Sequence, residues 1–351
     1  MNVLVLGAGV QGQVVARALE RRGALVRVAD LVPPPGGVAL DARDAAAVAA
    51  AARGCDVAIT SLPATIGTVA LPALLAAGVP TVDTSFALDL PFHLDADARR
   101  AGVPVIVDLG IAPGLSHLLA AALVRELGQV DLLRILVGGM PLVAPAGLHH
   151  AVYFHVHDLL DEYLRPARVR REGREVTVDP LAETSRWVDG EVGVLEAAPS
   201  DGLRSLLASF PDVAVMEELT LRVPGHLAVM RQLRELGLLD PEAREATAGS
   251  LERRFPGADH PDRLLMEVQA ASGGQARAFR VHVLHGDGLT AMSRATACTA
   301  AAGAVVLAAG GFDVPGVHAP EALGVDAAEA VLAELATDGI EVERQTRLRP
   351  A

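Results

Sequence analysis

Three glycines and a carboxylate near the N-terminus have the types and spacing of a dinucleotide-binding site. Gly7, Gly9 and Gly12 follow a short apolar run, and Asp30 ends a second apolar run. In this pattern Gly7 permits a tight turn, Gly9 lets the backbone approach a pyrophosphate, and Gly12 allows a helix to pack closely. A carboxylate at Asp30 would accept hydrogen bonds from an adenosine ribose, whereas a 2′-phosphate would meet like charge. The sequence therefore predicts a dinucleotide site that favours NAD over NADP.

The elements that must position these residues are a strand, a glycine loop, a helix and a second strand. Residues 2–6 and 24–30 are apolar runs typical of strands, and residues 13–22 have the pattern of an amphipathic helix. This context gives the glycine spacing its weight, because the motif alone is common. The helix N-terminus would direct unpaired N–H groups and the positive end of its dipole at the phosphates.

Helical and strand patterns continue to alternate as far as residue 107, and the run 81–83 is typical of one of these strands. The alternation predicts a doubly wound parallel sheet with helices on both faces. Such sheets bind ligands outside the carboxyl ends of their strands. The loop Asp108 to Gly114 should follow one of these ends, with Pro113 in the first turn of a helix that ends near Leu127. The predicted cofactor-binding residues are Gly7, Gly9, Val10, Gln11, Gly12, Asp30, Asp41, Ser61, Leu62, Pro63, Asp83 and Gly110.

The pattern changes after Leu127. Alternating polarity predicts a mainly antiparallel sheet with strands at 132–138, 151–155, 167–171, 175–178 and 277–284. Helices are expected near 202–209, 227–236, 289–309 and 327–335. We therefore predict an α/β protein, a Rossmann domain with an inserted α+β domain. Residues 1–115 plus 288–351 would bind the dinucleotide, and residues 116–287 would bind substrate and form the dimer interface.

Composition excludes several classes of protein. The net charge of −13 over 351 residues argues against a nucleic-acid partner. The N-terminus enters a strand directly and apolar stretches such as 300–309 are short, so we expect a cytoplasmic protein that does not span a membrane. The chain has no lysine, which excludes a lysine Schiff base or lysine general base. Cys55 and Cys298 form neither a disulfide framework nor a metal signature.

Several segments resemble the saccharopine dehydrogenase-like superfamily and, within it, the lysine 6-dehydrogenases. The more specific segments are Asp-Gly-Leu-Arg at 201–204 and Leu-Arg-Val-Pro-Gly-His at 221–226. Further matching segments are 82–85, 110–114, 137–141, 156–163, 165–166 and 290–294. The resemblance implies an NAD-dependent oxidoreductase that deaminates a small amino acid, L-lysine at its 6-amino group, with release of ammonia. It also implies a homodimer formed through the second domain's sheet.

Two departures from this resemblance leave other functions open. His150-Ala151 stands where similar proteins often carry Tyr-Lys, and Leu219 stands where they often carry lysine. A saccharopine reductase-like dehydrogenase is one alternative. The other is an NAD-binding regulatory protein that has lost catalysis, which the missing lysines favour.

Amine oxidation by hydride transfer requires a neutral amine, which favours a general base with a pKa near neutral. His226, after Pro-Gly in the specific motif, is the predicted catalytic residue, and a structural histidine that fixes the turn is the alternative. Arg204 and Arg222 are predicted substrate-binding residues, because a guanidinium matches both oxygens of a carboxylate. Ser85 and His150 complete the predicted substrate site.

Competing explanations apply to the charged residues around these candidates. Arg204 or Arg222 could instead form ion pairs with Asp201, Glu217 or Glu218. Histidines at 149, 150, 155 and 157 suggest a metal, but no third acid or thiol lies in register, so no metal is predicted. The acids at 158, 161 and 162 are expected to form a solvated helix face.

Overall fold

The computed structural model describes residues 1–63 and 65–345. The chain forms two compact units. The first comprises Met1–Leu118 and Arg294–Glu341, and the second comprises Leu119–Ser293 together with the strand Val342–Gln345.

The strands are numbered in chain order. They are β1 (Asn2–Leu6), β2 (Leu25–Asp30), β3 (Val38–Ala39), β4 (Val57–Thr60), β5 (Thr81–Asp83), β6 (Pro104–Ile106), β7 (Leu132–Pro141), β8 (Ala167–Arg171), β9 (Arg174–Val178), β10 (Ser185–Asp189), β11 (Gly193–Ser200), β12 (Val215–Arg222), β13 (Asp262–Ser272), β14 (Gln275–Leu284), β15 (Gly316–His318) and β16 (Val342–Gln345). The helices are α1 (Val10–Arg21), α2 (Ala45–Ala52), α3 (Leu71–Ala76), α4 (Asp95–Ala101), α5 (Leu115–Leu127), α6 (Val156–Asp161), α7 (Leu206–Ser209), α8 (His226–Glu235), α9 (Pro241–Arg254), α10 (Ala291–Ala308) and α11 (Gly324–Thr337).

The first unit is built on a seven-stranded sheet in the order β15-β6-β5-β4-β1-β2-β3. Every pairing in this sheet is parallel. All four residues of β4 are buried, as expected for a strand with helices on both faces. The predicted doubly wound parallel sheet is confirmed, and the predicted bounds of β1 and β5 match the structure.

The loop before α5 differs from its prediction. Pro113 does not lie in the first helical turn, because α5 begins at Leu115. The Ala112–Pro113 peptide is cis. The amide of Gly110 donates to the carbonyl of Pro113 at 3.0 Å, so residues 110–114 form a closed turn before the helix.

The second unit contains a nine-stranded sheet whose main path is β10-β11-β12-β7-β13-β14-β16. The β12–β7 pairing is parallel, and the other pairings are antiparallel. A mainly antiparallel second sheet is therefore confirmed. The predicted strand at 151–155 is wrong, since Val152 makes only an isolated bridge to Pro256 and α6 follows at once.

Adjacent residues of β11 contribute to two different hydrophobic clusters. Ala197 belongs to the cluster around Trp187 and Leu136, while Ala198 belongs to the cluster around Tyr163 and other side chains. The sheet is thus covered on both faces, because successive side chains of a strand point to opposite sides.

The C-terminal segment differs from the predicted domain division. We expected residues 288–351 to belong wholly to the dinucleotide-binding domain, but β16 pairs antiparallel with β14 of the second sheet. Residues 346–351 of the predicted domain lie outside the described residues.

Within the described part of the chain, α10 is long and apolar enough to cross a membrane by length and composition. However, 72% of its 18-residue window is buried inside the protein, and the core helix of a soluble protein meets the same criteria.

Candidate functional site

The glycine loop of the first unit has the backbone geometry that its spacing predicts. Gly7 has φ +106°, and a Cβ there would clash with the carbonyl oxygen of Ser61. A Cβ on Gly12 would clash with the carbonyl oxygen of Gly7, whereas a Cβ on Gly9 would meet nothing within 4 Å. Gly7 and Gly12 therefore hold the turn tightly against β4, and the space above Gly9 is open.

Asp30, at the end of β2, is hydrogen bonded to this loop. Its Oδ2 accepts from the amide of Ala8 at 2.7 Å, and its Oδ1 accepts from the amide of Val32 at 3.0 Å. Each carboxylate oxygen keeps acceptor capacity beyond these bonds. A ribose held near the loop could therefore donate its hydroxyl groups to Asp30.

The N-terminus of α1 completes an arrangement that fits a dinucleotide. Gly9 is the N-cap residue and no side chain caps the helix, so the amides of its first turn remain open to an anion. The side-chain oxygen Oε1 of Gln11 is buried and has no hydrogen-bond partner within the described residues. Open space, exposed amides and a carboxylate thus lie where a pyrophosphate and its ribose would sit.

Asp83 ends β5 in a buried hydrogen-bonded group. Its carboxylate accepts hydrogen bonds from Thr60 Oγ1 and from Ser85 Oγ, the latter at 2.9 Å. Burial, together with the charge of Asp108, raises the pKa of Asp83 to about 7 against the opposing effect of the two hydroxyls. The amide of Leu109 donates to the carbonyl of Asp83 at 3.1 Å, so the Gly110 turn begins beside this group.

The other predicted cofactor residues occupy less specific surroundings. Val10 is exposed, and the carboxylate of Asp41 pairs with Arg43 at 2.9 Å. The hydroxyl of Ser61 lies 3.2 Å from that of Thr84, and Leu62 and Pro63 continue the same turn after β4. Within the first unit, the structure therefore groups the glycine loop, Asp30 and the end of β4.

In the second unit, five buried or half-buried residues form what we term the β12 polar cluster: Glu162, Tyr163, Glu218, Arg222 and His226. The guanidinium of Arg222 donates through Nη2 to Glu162 and through Nε to the hydroxyl of Tyr163, at 2.7 Å for the latter. That hydroxyl lies 2.9 Å from Nε2 of His226, whose Nδ1 lies 2.8 Å from the carbonyl oxygen of Leu148.

Hydrogen-bond chemistry fixes the tautomer of His226. A carbonyl oxygen can only accept, so Nδ1 of His226 carries the proton donated to Leu148. Nε2 of the neutral ring then accepts from Tyr163. Burial, followed by the charge of Arg222, lowers the pKa of His226 to about 3. Both ring nitrogens are therefore occupied, and this environment favours the structural alternative over the predicted general base.

Arg222, predicted to bind substrate, is 2% exposed. Besides Glu162 and Tyr163, its Nη1 donates to the carbonyl of Leu221 at 2.8 Å. Three of its five N–H donors are thus engaged within the second unit. Its ion-pair partner is Glu162, whereas the sequence suggested Asp201, Glu217 or Glu218.

Those other acids have different neighbours. Asp201 accepts from Nε of Arg168 at 2.8 Å, and Glu217 accepts from Nε of Arg134 at 2.6 Å. The predicted substrate residue Arg204 is buried and has φ +44°, a left-handed conformation that is unusual for a residue with a side chain.

His150, also predicted to bind substrate, is buried with neither ring nitrogen hydrogen bonded within the described residues. Its ring centroid lies 4.7 Å from that of His226. Burial, then the charges of Arg222 and His226, lower its pKa well below the usual value. The structure therefore places His150, Arg222 and His226 together, whereas Ser85 lies in the first unit.

Sequence reasoning missed three members of the cluster. Glu162 was expected on a solvated helix face, Tyr163 was part of a motif without an assigned function, and Glu218 was considered only as an ion-pair partner. The available signal was the end of α6, where Leu159 and Leu160 are buried and Tyr163, three residues further on, packs in the same hydrophobic cluster.

The histidines that were considered as metal ligands, with no metal predicted, do not share a strand. His155 is the N-cap residue of α6, and His157 lies within that helix with Nε2 3.3 Å from Glu245. Among the described residues, the structure contains no group of three or more His, Cys, Asp or Glu side chains that could hold a metal ion.

Comparisons with known proteins give the family context. The family model described as saccharopine dehydrogenase C-terminal domain matches residues 110–340. A saccharopine dehydrogenase [NADP(+), L-glutamate-forming] from Schizosaccharomyces pombe is 24% identical over 225 residues, which cover 61% of this chain and 50% of that protein. The myo-inositol dehydrogenase Hyg17 from Streptomyces leeuwenhoekii is 35% identical over 146 residues, covering 38% of this chain and 45% of that protein. The chain thus spans at most half the length of these curated relatives.

Solved structures also resemble this chain, and one of them superposes on nearly its whole length. Apo saccharopine dehydrogenase (L-Glu forming) from Saccharomyces cerevisiae superposes with a TM-score of 0.81 at 18% identity, covering 99% of this chain and 100% of that one. At this level of identity the likeness establishes the fold.

Proposed function

Because the chain belongs to the saccharopine dehydrogenase C-terminal domain family, we propose that it is a nicotinamide-dependent oxidoreductase acting on an amino acid. The substrate we propose is L-lysine, oxidised at its 6-amino group with NAD as acceptor. One water is consumed, and the products are the 6-semialdehyde, ammonium, NADH and one proton.

The observation that carries the proposal is the contact between Asp30 and the amide of Ala8. It holds a carboxylate against the glycine loop, where it would accept from the hydroxyls of an adenosine ribose. A 2′-phosphate there would meet the same negative charge, and for this reason we propose NAD in place of NADP. When bound, the nicotinamide would accept the hydride.

The residues of the second unit would bind and orient the amino acid. Within the described part of the chain, Arg222 makes three hydrogen bonds, which leaves two of its five N–H donors for the carboxylate of a substrate. His226 would act as a positioning residue, since it fixes the Tyr163 hydroxyl that in turn orients Arg222. The predicted homodimer and the cytoplasmic location remain predictions.

A saccharopine-type reaction is the second candidate, and the family model together with the yeast structural match favours it. The saccharopine dehydrogenase from Schizosaccharomyces pombe uses NADP, so cofactor preference separates the two candidates. A regulatory protein that has lost catalysis would bind NAD without turnover.

The test follows the absorbance of the reduced cofactor with purified protein. Each of L-lysine, saccharopine and myo-inositol is supplied with NAD and, separately, with NADP. We expect turnover with L-lysine and NAD. Turnover of saccharopine with NADP would assign the second candidate, and NAD binding by calorimetry without turnover of any of these would assign a regulatory protein.

A further inference from the structure

Among the described residues, only one of the two carboxyl oxygens of Glu218 has a hydrogen-bond partner. The side chain is 4% exposed, and its Oε1 accepts from Ser200 Oγ at 2.8 Å. Its Oε2 is buried and has no hydrogen-bond partner among the residues that the structure describes. A buried acceptor without a hydrogen-bond donor destabilises the folded protein, so this oxygen calls for a donor from outside the described residues.

The backbone of the segment 201–205 lies close to the carboxyl group of Glu218. A Cβ on Gly202 would clash with the carboxyl group, so only a glycine backbone can lie so close to it. Ser205, in the same segment, has a buried hydroxyl that is also without a hydrogen-bond partner in the described chain. The segment 201–205 and Glu218 thus present two buried polar groups that lack partners.

The nearby acids differ from Glu218 in having guanidinium partners. Glu162 accepts from Arg222, and Asp201 accepts from Arg168 through both of its oxygens. Glu218 and Arg222 lie on the same face of β12, because they are separated by an even number of residues. Glu218 therefore has a second, buried oxygen without a donor among the described residues, and it lies on the same face of β12 as the guanidinium of Arg222.

We propose that Glu218 binds a primary ammonium group of the substrate, with its Oε2 accepting the ammonium hydrogen bond. This inference rests on the proposed function for the presence of an amine in the substrate. Glu218 would then select a substrate with an ammonium group over one with a hydroxyl group in the same place, because a neutral hydroxyl forms no ion pair with a carboxylate.

Binding of an ammonium group to Glu218 should release a proton from its carboxyl group, and this release can be measured. Burial, followed by the charges of Glu162 and Asp201, raises the pKa of Glu218 to about 8, with Ser200 and Arg204 opposing that rise. Free Glu218 is therefore mostly protonated at pH 7. An ammonium ligand favours the ionised carboxylate, so binding should release close to one proton at pH 7 and tighten as the pH rises toward 8.

The experiment is isothermal titration calorimetry of the full chain with L-lysine in the absence of NAD, where no oxidation occurs. Titrations at pH 6, 7, 8 and 9 in two buffers of different ionisation enthalpy give both the dissociation constant and the number of protons released. We expect the dissociation constant to fall about tenfold per pH unit below pH 8 and to level above it.

Glu218→Gln should weaken L-lysine binding at pH 8 at least tenfold and abolish proton release. The control is Glu217→Gln, which changes the adjacent residue on the opposite face of β12, and it should leave the proton release unchanged. The wild-type proton count tests the proposal even if Glu218→Gln does not fold.

Binding without proton release, equal affinity in Glu218→Gln, or no binding of L-lysine would overturn this assignment. The experiment distinguishes failure of the ammonium site from failure of the proposed function. A protein that oxidises L-lysine with Glu218→Gln binding unchanged rejects only the ammonium site. A protein that binds L-lysine with proton release yet oxidises none of the tested substrates rejects only the enzymatic proposal.

Discussion

The hydroxyl of Tyr163 donates a hydrogen bond of 2.9 Å to Nε2 of His226. The direction follows from the other side of the ring, where Nδ1 must donate to the carbonyl oxygen of Leu148. The same hydroxyl accepts from Nε of Arg222 at 2.7 Å. One phenol therefore links the neutral histidine of the cluster to its buried guanidinium.

Replacing Tyr163 with phenylalanine tests this link. Tyr163→Phe leaves two buried groups, on Arg222 and His226, without partners, so we expect a loss of about 1–3 kcal/mol in the free energy of unfolding. Urea denaturation measures it. The matched control is Tyr153→Phe, because the buried Tyr153 hydroxyl has no hydrogen-bond partner among the described residues and its removal should cost nothing. Equal losses in the two variants would contradict the assigned hydrogen bonds.

The protonation of His226 can be observed directly. Its pKa of about 3 lies below the ordinary value of 6.5, so the folded state binds fewer protons than the unfolded state between these limits. His226 therefore contributes stability above pH 6.5 that is lost as the pH falls toward 3. Nitrogen-15 NMR of labelled histidine should show the neutral Nδ1–H tautomer at pH 5, with His226→Asn identifying the signal. A titration midpoint of His226 between pH 6 and 7 would instead support its predicted role as a general base.

Asp30 should determine the affinity for NAD. Asp30→Ala removes the ribose acceptor and the bond to the Ala8 amide, so we expect NAD binding to weaken by about 1–2 kcal/mol. Calorimetry with NAD and NADP measures the change, and the preference for NAD should shrink because the repelling charge is gone. Exposed Asp56, which accepts from the amide of Asn2, provides a control carboxylate in Asp56→Ala. Unchanged NAD affinity in Asp30→Ala would remove Asp30 from the site.

Two glycines of the loop should respond differently to the same methyl group. Gly12→Ala places a methyl against the carbonyl of Gly7, so we expect a loss of about 1–3 kcal/mol of stability. Gly9→Ala meets open space and has an extended backbone, so the fold should tolerate it while NAD binding falls at least tenfold. Thermal unfolding and calorimetry distinguish the two effects. Full NAD affinity in a folded Gly9→Ala protein would place the pyrophosphate elsewhere.

The first unit could be predicted from sequence because its signals are local. The glycine loop, β1 and β5 each depend on residues that are close in sequence, and the parallel order follows from the alternation of elements. The second unit could be predicted only in part. The apolar run in β13 is buried on both faces and lacks the alternating pattern, and the alternating segment 151–155 finds only one bridging partner.

The candidate site could also be predicted only in part, because its motifs are local in sequence but its side-chain contacts are not. The motif around His226 drew attention to the right turn, but the low pKa of this residue depends on burial and on Arg222. Its hydrogen-bond partners Tyr163 and Leu148 are separated from it by 63 and 78 residues. Glu218 could not be identified from sequence, since the unpartnered state of Oε2 depends on how the segment 201–205 folds over it.

The most direct measurement of the central claim is the fate of the 6-amino nitrogen of L-lysine. Protein supplied with NAD and L-lysine labelled with nitrogen-15 at that position is analysed for labelled ammonium and for NADH. The proposed function predicts that labelled ammonium and NADH form in equal amounts, and that NADP supports the reaction poorly. NADH formation with the label retained in an organic product, or no reaction with L-lysine, would contradict it.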